Sequence, residues 1–196
     1  SAGCSSCNSG TYSELEGRTK VSDCKGCPKG RWSSAIHVTE KSACITCGTG
    51  KFGQNIIGAN ANSSCSPCDR GKYLDTVGAF GSSSCLVCPL GFAQNATGRA
   101  FCLPCTPGSF SSQEGRAECV KCAVGSASTK VARNSQCDAC IKGTYQSEEG
   151  MTACLHCIPG MYQPQQKQQN CTACAVGRAS ATAARKRSGQ RLGDSA

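Results

Sequence analysis

The chain has 196 residues, of which 20 are cysteine and only 5% are aromatic, and its 38% of nominally hydrophobic residues includes cysteine itself. Leu, Ile, Val and Phe are too sparse and too irregularly spaced for a large apolar core, which excludes an ordinary globular enzyme fold and points to a cysteine-stapled scaffold. The net charge of +9 is concentrated in part in Arg185, Lys186, Arg187 and Arg191; the remaining basic residues do not cluster with aromatics, so no nucleic-acid partner is expected.

No run approaches the roughly 18 apolar residues of a membrane span, and the opening "SAGCSSC" lacks the basic and apolar regions of a signal peptide. The sequence therefore reads as a soluble mature product or as a segment of something longer, with no membrane span in this chain.

Self-similarity is the strongest signal. Cys-x-x-Cys occurs ten times, at Cys4/Cys7, Cys24/Cys27, Cys44/Cys47, Cys65/Cys68, Cys85/Cys88, Cys102/Cys105, Cys119/Cys122, Cys137/Cys140, Cys154/Cys157 and Cys171/Cys174. Three residues past every pair stands a glycine, from Gly10 to Gly177. Two residues further there is usually a ring: Tyr12, Trp32, Phe52, Tyr73, Phe110, Tyr145 and Tyr162, with Ala93, Ala127 and Ala179 in the other places. The fixed glycine predicts positive φ or close backbone approach, and the ring predicts a short strand packed on the neighbouring bridge. The polar middle of each repeat reads as a turn, so each repeat is a small hairpin or irregular loop.

In chain order, residues 4–85 hold long-type repeats with 16, 16, 17 and 16 residues between pairs. Residues 88–174 hold short-type repeats with 13, 13, 14, 13 and 13. "CAVGSAS" at Cys122 returns as "CAVGRAS" at Cys174. Residues 175–196 form an incomplete repeat and a basic tail, whose Arg185-Lys186-Arg187 is read as solvated, with a protease processing site as the alternative.

Paired Cys-x-x-Cys motifs also suit a four-thiolate zinc site. A tandem zinc array would alternate intra-site and linker spacings, whereas the spacing here is uniform within each block, which favours one continuous disulfide ladder and no bound metal or other cofactor. Redox catalysis needs one such motif at a helix start inside an α/β domain, and no βαβ pattern is present. His37 and His156 stand in different repeats without an acid or serine context, so no catalytic residue is assigned and the chain is read as not an enzyme.

Spacing alone leaves the connectivity open. If the Gly-aromatic loop is the unit, the second cysteine of one pair bonds the first of the next: Cys7 with Cys24, Cys27 with Cys44, Cys47 with Cys65, Cys68 with Cys85, Cys88 with Cys102, Cys105 with Cys119, Cys122 with Cys137, Cys140 with Cys154, and Cys157 with Cys171. Cys4 and Cys174 are then unpaired or inter-chain. Asn62, Asn95 and Asn170 begin N-glycosylation sequons, with Asn170 the weakest because a bridged cysteine follows it. One ring per repeat does not offset the entropy of ordering so many residues, so isolated repeats should not fold while a stack could.

"CTPGSFSSQEGRAEC", "CIKGTYQSEEGMTAC" and "CNSGTYSELEGRTKVSDC" resemble the ephrin-receptor-like cysteine-rich repeat, and are similar to the single-bridge module of tumour necrosis factor receptors. The resemblance implies a small disulfide-rich fold: an elongated extracellular rod of about nine tandem repeats with short β-hairpins and little helix, and with the ladder connectivity above. It implies no catalytic or ligand residue. Where Ala93, Ala127 and Ala179 replace the ring, looser packing or cover from a neighbouring subunit is expected.

The unpaired ends leave three readings open: a fragment of a longer array, a terminal pair closed by an unlike bridge, or a protomer whose Cys174 joins Cys4 of the next copy in a head-to-tail filament. The functional expectation is a non-enzymatic extracellular or cell-surface structural protein, a glycosylated subunit or segment of a fibril, appendage or coat. Its expected partners are copies of itself or further repeats, and N-linked glycans. The alternative is a receptor or adhesion ectodomain binding a protein ligand along the repeats.

Overall fold

The computed structural model describes residues 5–18 and 20–178; Cys4, Ala179 and the basic tail lie outside the described residues. The described residues form nine antiparallel two-stranded hairpins and no sheet of more than two strands. Eight of the hairpins pair the two residues after a repeat's glycine with the two residues enclosed by the next Cys-x-x-Cys, and the remaining one, Lys51–Gly53 with Cys65–Pro67, is a residue longer on each strand. Thr11–Tyr12 thus pairs with Lys25–Gly26, and Lys72–Tyr73 with Leu86–Val87.

The register follows from the covalent frame. A bridge from the second cysteine of one pair to the first cysteine of the next closes the loop that contains the first strand, and it brings the second strand alongside. The bridges are Cys7–Cys24, Cys27–Cys44, Cys47–Cys65, Cys68–Cys85, Cys88–Cys102, Cys105–Cys119, Cys122–Cys137, Cys140–Cys154 and Cys157–Cys171. Fixing strand ends covalently is what lets hairpins this short persist, because a lone two-stranded hairpin is marginal in water.

The four long loops each carry one 3-10 turn just before the next pair: Val21–Asp23, Lys41–Ala43, Asn62–Ser64 and Ser82–Ser84. In each, the amide of the following cysteine donates to the carbonyl of the turn's first residue, as Cys24 does to Val21. The extra residues of the long repeats are therefore spent at one place, a single tight turn leading into the bridge. No such turn occurs in the described short loops.

The interior is built of sulfur more than of rings. From Cys7 to Cys140 the second cysteine of each pair is at most 2% exposed, whereas Trp32, Phe52, Tyr73, Phe110 and Tyr145 are only half-buried and Tyr162 is exposed. Ala93 and Ala127 are both buried. Their methyl groups are buried to the same degree as Tyr12, the buried ring among the described ring positions.

The described residues fall into two compact units, one drawn from residues 5–105, 111–119 and 132–134, the other from residues 106–110, 120–131 and 135–178. The first holds two small apolar clusters: Tyr12 and Val38 with Cys27 and Cys44, and Leu74 with Cys68 and Cys85, against which Phe52 and Ala79 pack.

Candidate functional site

The feature that recurs is the junction between one repeat and those after it. In the first unit the Gly71 amide donates to the Gln94 carbonyl (2.8 Å) and the Cys88 amide to the Gly71 carbonyl (2.9 Å). The Gly98 amide donates to the Cys68 carbonyl (2.8 Å) and the Leu74 amide to the Arg99 carbonyl (3.1 Å). The second unit repeats the set: Gly125 to Gln146, Cys140 to Gly125, Gly150 to Cys122 and Ser128 to Met151. All four bonds are main-chain to main-chain, so the junction is largely indifferent to side-chain identity.

In seven repeats the glycine is fixed twice over. Gly10, Gly30, Gly50, Gly71, Gly91, Gly108 and Gly125 all have φ between +74° and +82°. A Cβ on any of them would collide with the carbonyl oxygen of a loop residue two repeats further on: Gly58, Gly78, Gly98, Gly115, Ala132, Gly150 and Lys167 respectively. Both physical reasons for a glycine, left-handed backbone and close approach, hold at the same position.

Those loop residues were missed in the sequence reading. They share a left-handed conformation, and Ala132 (φ 51°), Lys167 (φ 60°) and His37 (φ 64°) are the only non-glycine residues with positive φ among those described. The signal was available: Gly17, Gly78, Gly98, Gly115 and Gly150 each stand ten residues past the second cysteine of their pair, and Gly58 stands eleven past in the loop with one extra residue. The bend is needed because the residue's amide donates to the second cysteine of the preceding repeat while its carbonyl turns toward the glycine one repeat earlier still.

A second missed position lies three residues past each glycine. Ser13, Ser33, Gln94, Ser111, Ser128, Gln146 and Gln163 are all buried there, though polar. Gln94 satisfies itself by accepting from the Ala96 amide (3.1 Å) and donating to the Phe101 carbonyl (2.8 Å). Gln146 and Gln163 make the same clamp, to Glu148 and Ala153 and to Gln165 and Asn170. Ser13 and Ser33 accept the amide two residues on instead. No buried side-chain nitrogen or oxygen lacks a partner among the described residues, as polar groups in so small an interior require.

Of the sequence-assigned residues, the eighteen cysteines above are joined in bridges and Cys174 is a free, half-buried thiol. Each described Cys-x-x-Cys whose cysteines are both bridged divides its sulfurs between two different loops. Asn62, Asn95 and Asn170 are exposed, Asn62 as the first residue of a 3-10 turn, and His37 and His156 are exposed in separate repeats. No helix among the described residues is long and apolar enough to cross a membrane.

The architecture is that of a disulfide-laddered tandem-repeat protein, each repeat one hairpin and one bridge. Nine disulfides belong to an oxidising, extracellular or secretory setting. The family model described as "Tyrosine-protein kinase ephrin type A/B receptor-like" matches residues 56–99 and 125–161, and these two segments are similar to the ephrin-receptor-like cysteine-rich repeat. No curated protein matches the chain.

Proposed function

We propose that the chain is a non-enzymatic structural array of the extracellular space, a segment or subunit of a surface fibril, appendage or cell coat. The observation that carries this reading is the uniformity of the junction: the same four main-chain hydrogen bonds recur from repeat to repeat, while the side chains facing solvent differ freely. Such a design specifies a spacing between attachment points more directly than it specifies a single binding face.

Electron microscopy of native material, together with non-reducing electrophoresis, tests the reading. Filaments or a regular lattice support it; isolated chains distributed on a membrane with a bound protein ligand would replace it. A covalent ladder that collapses on reduction would further assign Cys174 to an inter-chain bridge with Cys4 of the next copy.

A second reading, a receptor or adhesion ectodomain, is favoured by the family match. It requires a ligand whose binding is lost when one repeat's outward residues are replaced and kept when those of another are, a polarity that a uniform structural array would not show.

A further inference from the structure

Beside Ala93 the surface forms a shallow, largely apolar groove within the first unit. Its walls include Ala93, Leu103, Pro104, Ala117 and Glu118, and Asn95 is also one of its lining residues. Asn95 begins the sequon Asn95-Ala96-Thr97, and both Asn95 and Thr97 are exposed. The loop is held in place from beneath by the buried Gln94, whose amide group binds the Ala96 N–H and the Phe101 carbonyl. The acceptor asparagine is therefore presented on a fixed backbone at the edge of a groove lined by methyl, isobutyl and pyrrolidine groups.

We infer that Asn95 carries an N-linked glycan whose first N-acetylglucosamine lies in this groove. The inference rests on the extracellular reading above, because only a secretory route supplies the donor. In the transfer, the bond between C1 of the proximal sugar and the diphosphate of a lipid-linked oligosaccharide breaks. A bond from C1 to Asn95 Nδ2 forms, one amide proton is lost, and the lipid diphosphate leaves.

The match between sugar and groove is chemical. One face of the pyranose and the acetamido methyl are apolar and suit Leu103 and Pro104, while the sugar hydroxyls remain in water or meet the Glu118 carboxylate. Leu103 is 52% exposed in the protein part alone, so it has apolar surface to give. Burying about 50 Å² of that surface corresponds to about tenfold in an equilibrium between seated and free sugar. The other two sequons differ: Asn62 sits on a 3-10 turn, and Asn170 directly precedes the bridged Cys171.

The test uses the full chain secreted from a eukaryotic host, with intact mass and free-thiol count measured alongside site mapping. The expected result is a glycan at Asn95 that disappears in Asn95→Gln and in Thr97→Ala. On the native protein, peptide N-glycosidase should release it about tenfold more slowly than from Leu103→Glu, a change at an exposed strand position that leaves the nine bridges in place. Bridges intact with no sugar at Asn95 would overturn the glycan alone. A glycan released equally fast from both proteins would overturn its seat. A chain with free thiols throughout would overturn the extracellular reading beneath both.

Discussion

The carbonyl oxygen of Gly115 occupies the space in which a Cβ on Gly71 would stand, two repeats away along the chain. Gly71→Ala must therefore both hold a non-glycine residue at φ +75° and push back the backbone of a distant loop. The expected loss is at least about 3 kcal/mol, well above the 1–2 kcal/mol of left-handed strain alone. Gly160→Ala is the control: φ is +86° but nothing described lies within 4 Å, so only the conformational penalty should appear. Hydrogen exchange at the Cys88 and Gly115 amides, which bond across this junction, reads the difference directly.

Lys167 and Ala132 hold left-handed conformations in which the equivalent residues Gly98, Gly115 and Gly150 are unstrained. Lys167→Gly and Ala132→Gly should each stabilise the fold, by up to about 1 kcal/mol, since relief of αL strain outweighs the added freedom of the unfolded chain. The reciprocal change, Gly150→Lys, should destabilise by a similar amount. Thermal unfolding of the three variants with bridges intact would check the signs.

Gln146 is buried and makes two hydrogen bonds to main-chain groups of its own loop. Gln146→Leu keeps much of the volume but strands the Glu148 amide and the Ala153 carbonyl, with an expected cost of about 1–3 kcal/mol. Proteolysis should then start within 147–153, whereas the same treatment of the parent chain should spare that loop.

Replacing Cys122 and Cys137 together by serine removes one bridge whose separation is 15 residues. The expected loss is about 3 kcal/mol, from the loop entropy released in the unfolded chain and the loss of a sulfur that is fully buried at Cys122. Mass-resolved hydrogen exchange should show the hairpin Ser126–Ala127 with Asp138–Ala139 opening first.

The bridges and hairpins were legible because cysteine and glycine recur at fixed intervals, and intervals survive in a sequence read without coordinates. The ring is an uneven guide to burial: Tyr12 is buried like Ala93 and Ala127 in the same place, whereas Trp32 and Tyr73 are half-buried. Burial is instead most consistent at the second cysteine of each pair, at most 2% exposed from Cys7 to Cys140. The left-handed loop position was harder to see because His37, Ala132 and Lys167 interrupt its run of glycines. Gln94, Gln146 and Gln163 were hidden for another reason: a polar residue in a polar loop gives no sign that its amide is turned inward.

The pairing of the seven repeat glycines from Gly10 to Gly125 with a loop two repeats ahead makes the repeat, and not the residue, the unit in which such a chain can be lengthened. Inserting one whole repeat gives every glycine a new left-handed neighbour of the same kind and every cysteine a new partner at the same remove. Inserting half of one would set side chains against carbonyls at two successive junctions. Gene duplication in whole-repeat steps is thus structurally silent, since each added copy brings only contacts of a kind the chain already makes.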